Sequence, residues 1–186
     1  MEKNRNESHI STRNLVITAL LIALAMIIPM YFGFLRVVVP PFFTATIASH
    51  VPQFIAMMIS PVVAVAVGAG SALGFFLAGY GPVVALRATS HIVWGLMGAL
   101  MIKKEHKHLT AGKLITIILL TGVVHGVYEG LVIIPFLAQK GTLTFAAIGV
   151  TAFGTFLHHL VDAAIAVPIA SALHLLPRNL FSKKRA

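Results

Sequence analysis

The chain has 186 residues, 58% of them hydrophobic and 10% charged, with a formal net charge of +9 and no cysteine. Soluble domains carry roughly 45–50% apolar and about 25% charged residues, so this composition excludes an ordinary soluble domain and describes a membrane protein. Disulfides, thiolate metal sites and cysteine nucleophiles are excluded, and the basic residues fall in short groups between apolar runs instead of forming a nucleic-acid-binding face.

Residues 1–14 are polar and precede any apolar run; they are expected as a retained cytoplasmic tail and not a signal peptide. A first helix over 15–30, helped to its end by Pro29, is slightly short for a hydrocarbon core of about 30 Å, which needs roughly 20 residues. Residues 31–46 contain Gly33, Arg36, Pro40 and Pro41, and a proline pair cannot continue a helix. With Val37, Val38, Val39 and four phenylalanines this outer loop is too apolar for a solvated linker, and it is expected to pack back on the bundle as a lid.

A short second helix over 47–60 contains Pro52, and Pro61 marks the turn into a third over 62–78, where Gly68, Gly70 and Gly74 permit close helix approach. After a turn at 79–82 the fourth helix runs over 83–102 and ends at a basic stretch, 103–107. The fifth spans 113–137, with Pro135 near its end, and 138–142 turn the chain. The last run, 143–176, exceeds one span, so tilting, a break near Gly149 or Gly154, or a kink at Pro168 is expected.

The fold class that follows is an all-α integral membrane protein, a six-transmembrane-helix bundle over 15–176 with a basic cytoplasmic tail at 177–186. Six spans put both termini and the 103–113 loop on one side. That side carries Lys3, Arg5, Arg13, Lys103, Lys104, Lys107, Lys113, Arg178, Lys183, Lys184 and Arg185, against only Arg36 and Lys140 opposite. The positive-inside rule makes the crowded side, with both termini, cytoplasmic.

The stretch Pro82-Val-Val-Ala-Leu-Arg87-Ala-Thr-Ser-His91-Ile-Val-Trp94 sets an arginine and a histidine on one face of a membrane helix. A guanidinium facing lipid costs roughly 2.5–3.5 kcal/mol on insertion scales, so Arg87 is expected to point into the bundle, as a cation for a carboxylate or other anion; snorkelling to the interface is the alternative. Glu129 is the only glutamate in a span. Either it balances Arg87 as a structural pair, or it accepts a hydrogen bond from substrate with His125 orienting it from one turn away. Counted at 1.5 Å per residue, Arg87 lies just below the outer surface, His91 and Glu129 come deeper at one level, and His125, His158 and Asp162 sit nearer the midplane.

His158, His159 and Asp162 have the look of a two-histidine, one-carboxylate metal set, but without a His-Glu-x-x-His pattern they read better as a polar network stitching helices. No metal or other cofactor is assigned. Trp94, Tyr80, Tyr128 and Phe153 are candidates for an aromatic wall. His50 reads as an interfacial residue or part of a lid hinge, while His106 and His108 belong to the cytoplasmic loop. Ala19 and Ala23 form a small-x-x-x-small surface for a close helix contact, internal or with a partner.

Taken together the chain resembles the substrate-binding S component of an energy-coupling factor (ECF) vitamin transporter. The resemblance is carried by the short six-span pattern, by Ala19-Leu-Leu-Ile-Ala23, by the lid-like outer loop, and by Pro40-Pro-Phe-Phe-Thr-Ala-Thr-Ile-Ala-Ser-His50-Val-Pro-Gln-Phe-Ile-Ala-Met-Met-Ile-Ser-Pro61, which is similar to the pantothenate- and niacin-type members. It implies capture of a vitamin from outside the cell, docking of Ala19 and Ala23 on a transmembrane coupling protein joined to two ATPases, and toppling to release the vitamin inside. The absence of a G-x-x-x-x-G-K-[ST] pattern agrees with ATP hydrolysis by partner subunits and with no enzyme activity in this chain.

Arg87, His91, Glu129, His125, Trp94, Tyr128, His158 and Asp162 are the expected substrate-binding residues. Donors and acceptors spread over three helices favour pantothenate slightly, with niacin next. The rival readings are a membrane-embedded metalloenzyme built on His158, His159 and Asp162, and an autonomous proton-coupled carrier built on Glu129 and His125.

Overall fold

The computed structural model describes residues 11–39, 43–105, 108–177 and 180–181. The first ten residues, Pro40, Pro41, His106 and most of the basic tail expected at 177–186 lie outside these. Eight helices are described: α1 (Thr12–Tyr31), α2 (Val51–Ile59), α3 (Pro61–Leu77), α4 (Pro82–Ala88), α5 (Ser90–Glu105), α6 (Ala111–Val132), α7 (Ile134–Gln139) and α8 (Phe145–Ala172). Helices α1, α3, α6 and α8 start where the sequence supplies a cap. Ser11, Ser60, Thr110 and Thr144 accept hydrogen bonds from the backbone of Asn14, Val63, Lys113 and Ala147, and Pro61 takes the first helical position of α3, where its missing N–H costs nothing.

The all-α expectation needs one correction. Within the anticipated outer loop, a 3-10 turn at Gly33–Leu35 leads into an antiparallel hairpin of β1 (Arg36–Val39) and β2 (Phe43–Thr46), with Arg36 opposite Thr46 and Val39 opposite Phe43. β1 is exposed along its length, whereas Phe43, Ala45 and Thr46 of β2 are buried against the bundle. Phe43 lies over Gly154 of α8, where a Cβ would come within 2.7 Å of its ring. Gly154 thus seats the hairpin and does not break α8, which runs unbroken from Phe145 to Ala172 with Pro168 inside it.

Among the described residues, four helical segments are long and apolar enough to cross a membrane, namely Thr12–Tyr31, Pro82–Glu105, Ala111–Gln139 and Phe145–Ala172, and Pro61–Leu77 is a shorter apolar helix. With its 9 residues α2 is different; at 1.5 Å per residue it is roughly 14 Å long, about half a hydrocarbon core. It starts inside the protein and is buried along nearly its whole length. The turn feeding it, between β2 and α2, holds Ala48 at φ 70, a left-handed backbone that non-glycine residues rarely adopt.

Helices pack closely where glycine removes the Cβ. One added at Gly68 of α3 would come 2.7 Å from the backbone nitrogen of Ile92, so α3 and α5 touch backbone to backbone. Beneath the polar residues lies an apolar core of Phe54, Met57, Val63, Val67, Trp94, Leu114, Ile117 and Ala166. The polar side chains are thereby gathered toward the end of the bundle that carries the hairpin.

Candidate functional site

Arg87 sits in the last turn of the seven-residue α4, and its side chain is buried. Its Nε and Nη2 donate to Glu129 Oε2 at 3.0 and 2.6 Å, while Nη1 donates to Thr44 Oγ1 and Nη2 to the Thr44 carbonyl, both at 3.3 Å. The guanidinium therefore presents one edge to a carboxylate from α6 and the other to two oxygens of a hairpin residue. Burial of Arg87 with this partner set agrees with the inward-pointing expectation and not with snorkelling.

Glu129 is held from three sides. Besides Arg87, Thr155 Oγ1 of α8 donates to its Oε2 at 2.6 Å, and His125 Nε2, one turn away on α6, stands 3.2 Å from its Oε1. Behind this pair runs a file of polar groups, with His125 Nδ1 3.2 Å from His159 Nδ1 and His159 Nε2 3.2 Å from Thr121 Oγ1.

Asp162 does a different job. Its Oδ1 accepts the backbone N–H of Ala48 at 2.8 Å and its Oδ2 that of His50 at 2.9 Å, which ties α8 to the turn after the hairpin. His158 Nε2 lies 3.2 Å from Oδ2 and 3.1 Å from the Thr46 carbonyl. The consecutive histidines of α8 diverge, His158 toward Asp162 and the hairpin, His159 toward His125, as a step of about 100° along a helix requires. The His158, His159 and Asp162 set is thus split between two networks.

A small cavity of about 20 Å³ lies between these groups, with Thr44, Thr46, His50, Arg87, His91, Glu129, Thr155 and His158 in its wall, together with Phe75 and Tyr80. Of the expected binding residues, Arg87, His91, Glu129 and His158 line it. His125 and Asp162 stand one layer behind, bonded to groups that do. Trp94 and Tyr128 do not line it: Trp94 is fully buried below, with its ring centroid 5.0 Å from Phe54 and 4.7 Å from His159, and Tyr128 Oη pairs with Thr89 Oγ1 at 2.9 Å. Phe153 is exposed on the outer face. Ala19 and Ala23 are likewise exposed on α1, so their surface is not consumed by an internal contact.

Of the two sequence readings of His50, an interfacial residue or part of a lid hinge, its burial overturns the first. It is buried at the centre of the site, with ring centroids 4.7 Å from His91, 4.7 Å from His125 and 4.4 Å from His158. Ser71, whose Oγ is 2.8 Å from His91 Nδ1, and Thr155 were not anticipated either. The only signal for His50 was its position just ahead of Pro52, which marks a helix start but not its depth.

The hairpin is fastened over the cavity by named contacts: Thr44 on Arg87, the Thr46 carbonyl on His158, and Arg36 with its guanidinium carbon 5.2 Å from the centre of the Tyr80 ring. Each is polar and local.

A family model described as ECF-type riboflavin transporter, S component, matches residues 9–175. The niacin transporter NiaX of Lactococcus lactis subsp. cremoris (strain MG1363) is 31% identical over 182 residues, covering 93% of this chain and 80% of the relative. No solved structure matches the chain.

Proposed function

The chain belongs to the ECF-type riboflavin transporter S-component family, and from that premise we propose that it captures nicotinate outside the cell and delivers it to a partner ATP-driven module. The observation that carries this reading is the divided guanidinium of Arg87. One edge is neutralised by Glu129; the other rests on the Thr44 carbonyl and Oγ1 at 3.3 Å, two neutral acceptors that a carboxylate could replace. When the hairpin lifts, a ligand carboxylate takes their place with two charge-assisted bonds. The vitamin ring then lies among Phe75, Tyr80 and His91.

Riboflavin, in the description of the family model, is a large ring system without a carboxylate. The niacin transporter among the relatives and the buried arginine favour nicotinate over it, and the same relative favours nicotinate over the more extended pantothenate that polar-residue counting favours slightly.

The rest of the mechanism follows from the architecture. The hairpin acts as the lid. The chain crosses the cell membrane as six segments with both termini cytoplasmic, the second crossing made jointly by β2, its turn and the half-length α2. Exposed Ala19 and Ala23 dock on a transmembrane coupling protein joined to two ATPases, since flat alanine surface lets a partner helix come close.

Equilibrium binding of labelled nicotinate, pantothenate and riboflavin to the purified chain in detergent tests the ligand. Nicotinate is expected to bind, and to be lost in Arg87→Ala; tight binding of another vitamin with none of nicotinate overturns the assignment. For docking, Ala19→Trp is expected to abolish uptake in cells while nicotinate binding by the purified protein is unchanged, and undiminished uptake refutes it.

A further inference from the structure

We propose that a divalent transition-metal ion is held between His50, His91 and His125, at the wall of this cavity. These three buried histidines come from three segments, the start of α2, α5 and α6, and each offers a ring nitrogen within 4.8 Å of the other two. Their ring centroids are 4.7, 4.7 and 5.3 Å apart and the rings cross at 85°, 77° and 83°. Imidazoles radiating from one tetrahedral ion, each with its nitrogen at about 2.0–2.1 Å, would have centroids roughly 5 Å apart. The rings already have that spacing.

The groups behind the rings fit the same arrangement. A metal-bound histidine is normally oriented through its other nitrogen by a carboxylate, hydroxyl or similar partner. Here His91 Nδ1 meets Ser71 Oγ at 2.8 Å and His125 Nδ1 meets His159 Nδ1 at 3.2 Å, while His50 Nδ1, 3.2 Å from Asp162 Oδ2, makes no hydrogen bond. With their Nδ1 atoms so engaged, His91 and His125 each have Nε2 left for an ion.

Proton counting gives a further reason. Thr121 Oγ1 directs its hydrogen to the Ile117 carbonyl at 2.8 Å, so the nearby His159 Nε2 is the donor toward Thr121 and His159 Nδ1 an acceptor. His125 must then carry its hydrogen on Nδ1. Its Nε2 lone pair is left facing Glu129 Oε1 at 3.2 Å, acceptor against acceptor, an opposition that a cation bound to Nε2 removes. Three imidazoles suit zinc, cobalt, nickel or copper. If the vitamin is an anion, which rests on the reading above, the metal also offsets its charge, because Arg87 is already balanced by Glu129 and Asp162 is a second carboxylate.

The test uses the full chain, purified through a histidine-free tag, stripped with chelator, and titrated with Co²⁺ and Zn²⁺ in vitamin-free detergent buffer. About one Co²⁺ per chain is expected, with the visible absorption of a low-coordinate site and a raised unfolding temperature. His91→Gln and His125→Gln should each weaken binding about 10–100-fold, while His174→Ala, on an exposed histidine, leaves it unchanged. Metal binding equal in all three variants overturns the site. So does a wild-type chain that takes up no cobalt, in which case a proton fills the gap beside Glu129. A variant that gains no unfolding temperature from Co²⁺ but melts like the stripped wild type counts as folded and unbound. Because no vitamin is present, failure here leaves the nicotinate reading standing, and the reverse.

Discussion

Two places in this bundle use the same local motif, a histidine followed four residues later by a carboxylate: His125 with Glu129 on α6, and His158 with Asp162 on α8. In both, the carboxylate is buried. Their other partners separate them. Glu129 faces a guanidinium and the cavity, whereas Asp162 faces two backbone N–H groups of the turn that carries the hairpin. On the proposed function, one carboxylate serves recognition and the other architecture. The motif alone distinguishes neither, because what differs comes from segments more than a hundred residues away in one case.

Breaking the architectural carboxylate should have the largest effect. Asp162→Ala leaves two buried N–H groups without an acceptor and is expected to cost about 3–5 kcal/mol of stability. Its unfolding temperature in detergent should fall, with ligand affinity falling along with it. Next comes the recognition side, where Arg87→Ala is expected to lose about 3 kcal/mol of nicotinate binding, on the order of 100-fold, as measured by equilibrium dialysis. Arg87→Lys should recover little of it, since a single ammonium cannot serve both Glu129 and a two-oxygen ligand. A smaller loss, about 1–2 kcal/mol, is expected for Thr155→Val, which deletes one bond to Glu129 Oε2 and should perturb binding more than melting. If Asp162→Ala and Arg87→Ala instead changed stability and binding in the same proportion, the division between the two carboxylates would be wrong.

Much of this was legible in the sequence. The helical runs, the turns at Pro61 and at 79–82, and the inward direction of Arg87 follow from hydropathy, from proline and from the cost of a charge in lipid. The pairing of Arg87 with Glu129 was among the readings left open. The hairpin was not visible, because Val37, Val38 and Val39 are uniformly apolar and all exposed, so the alternation that announces a half-buried strand is missing. His50 was misplaced for a related reason. Local pattern places a helix start but cannot tell that the start lies in the middle of the protein, and His50 is fixed there by Asp162, 112 positions away. Trp94 was read as a pocket wall because aromatic residues on a polar helix face suggest one; a residue deeper than the cavity shares that face and packs beneath it.

If the hairpin is the lid proposed above, the left-handed backbone of Ala48 makes its closed form a loaded one. An alanine at φ 70 costs about 1 kcal/mol relative to ordinary conformations, and here its N–H is clasped by Asp162. The clasp and the cost oppose each other at a single residue, so the turn is biased toward release as soon as the clasp loosens. Ala48→Gly removes the cost and keeps the clasp. It should stabilise the protein by about 1 kcal/mol and slow the exchange of bound vitamin, measured by chasing labelled nicotinate with unlabelled. The entry rate of the vitamin would then be set not by any atom that touches it but by the backbone preference of one small residue behind the door.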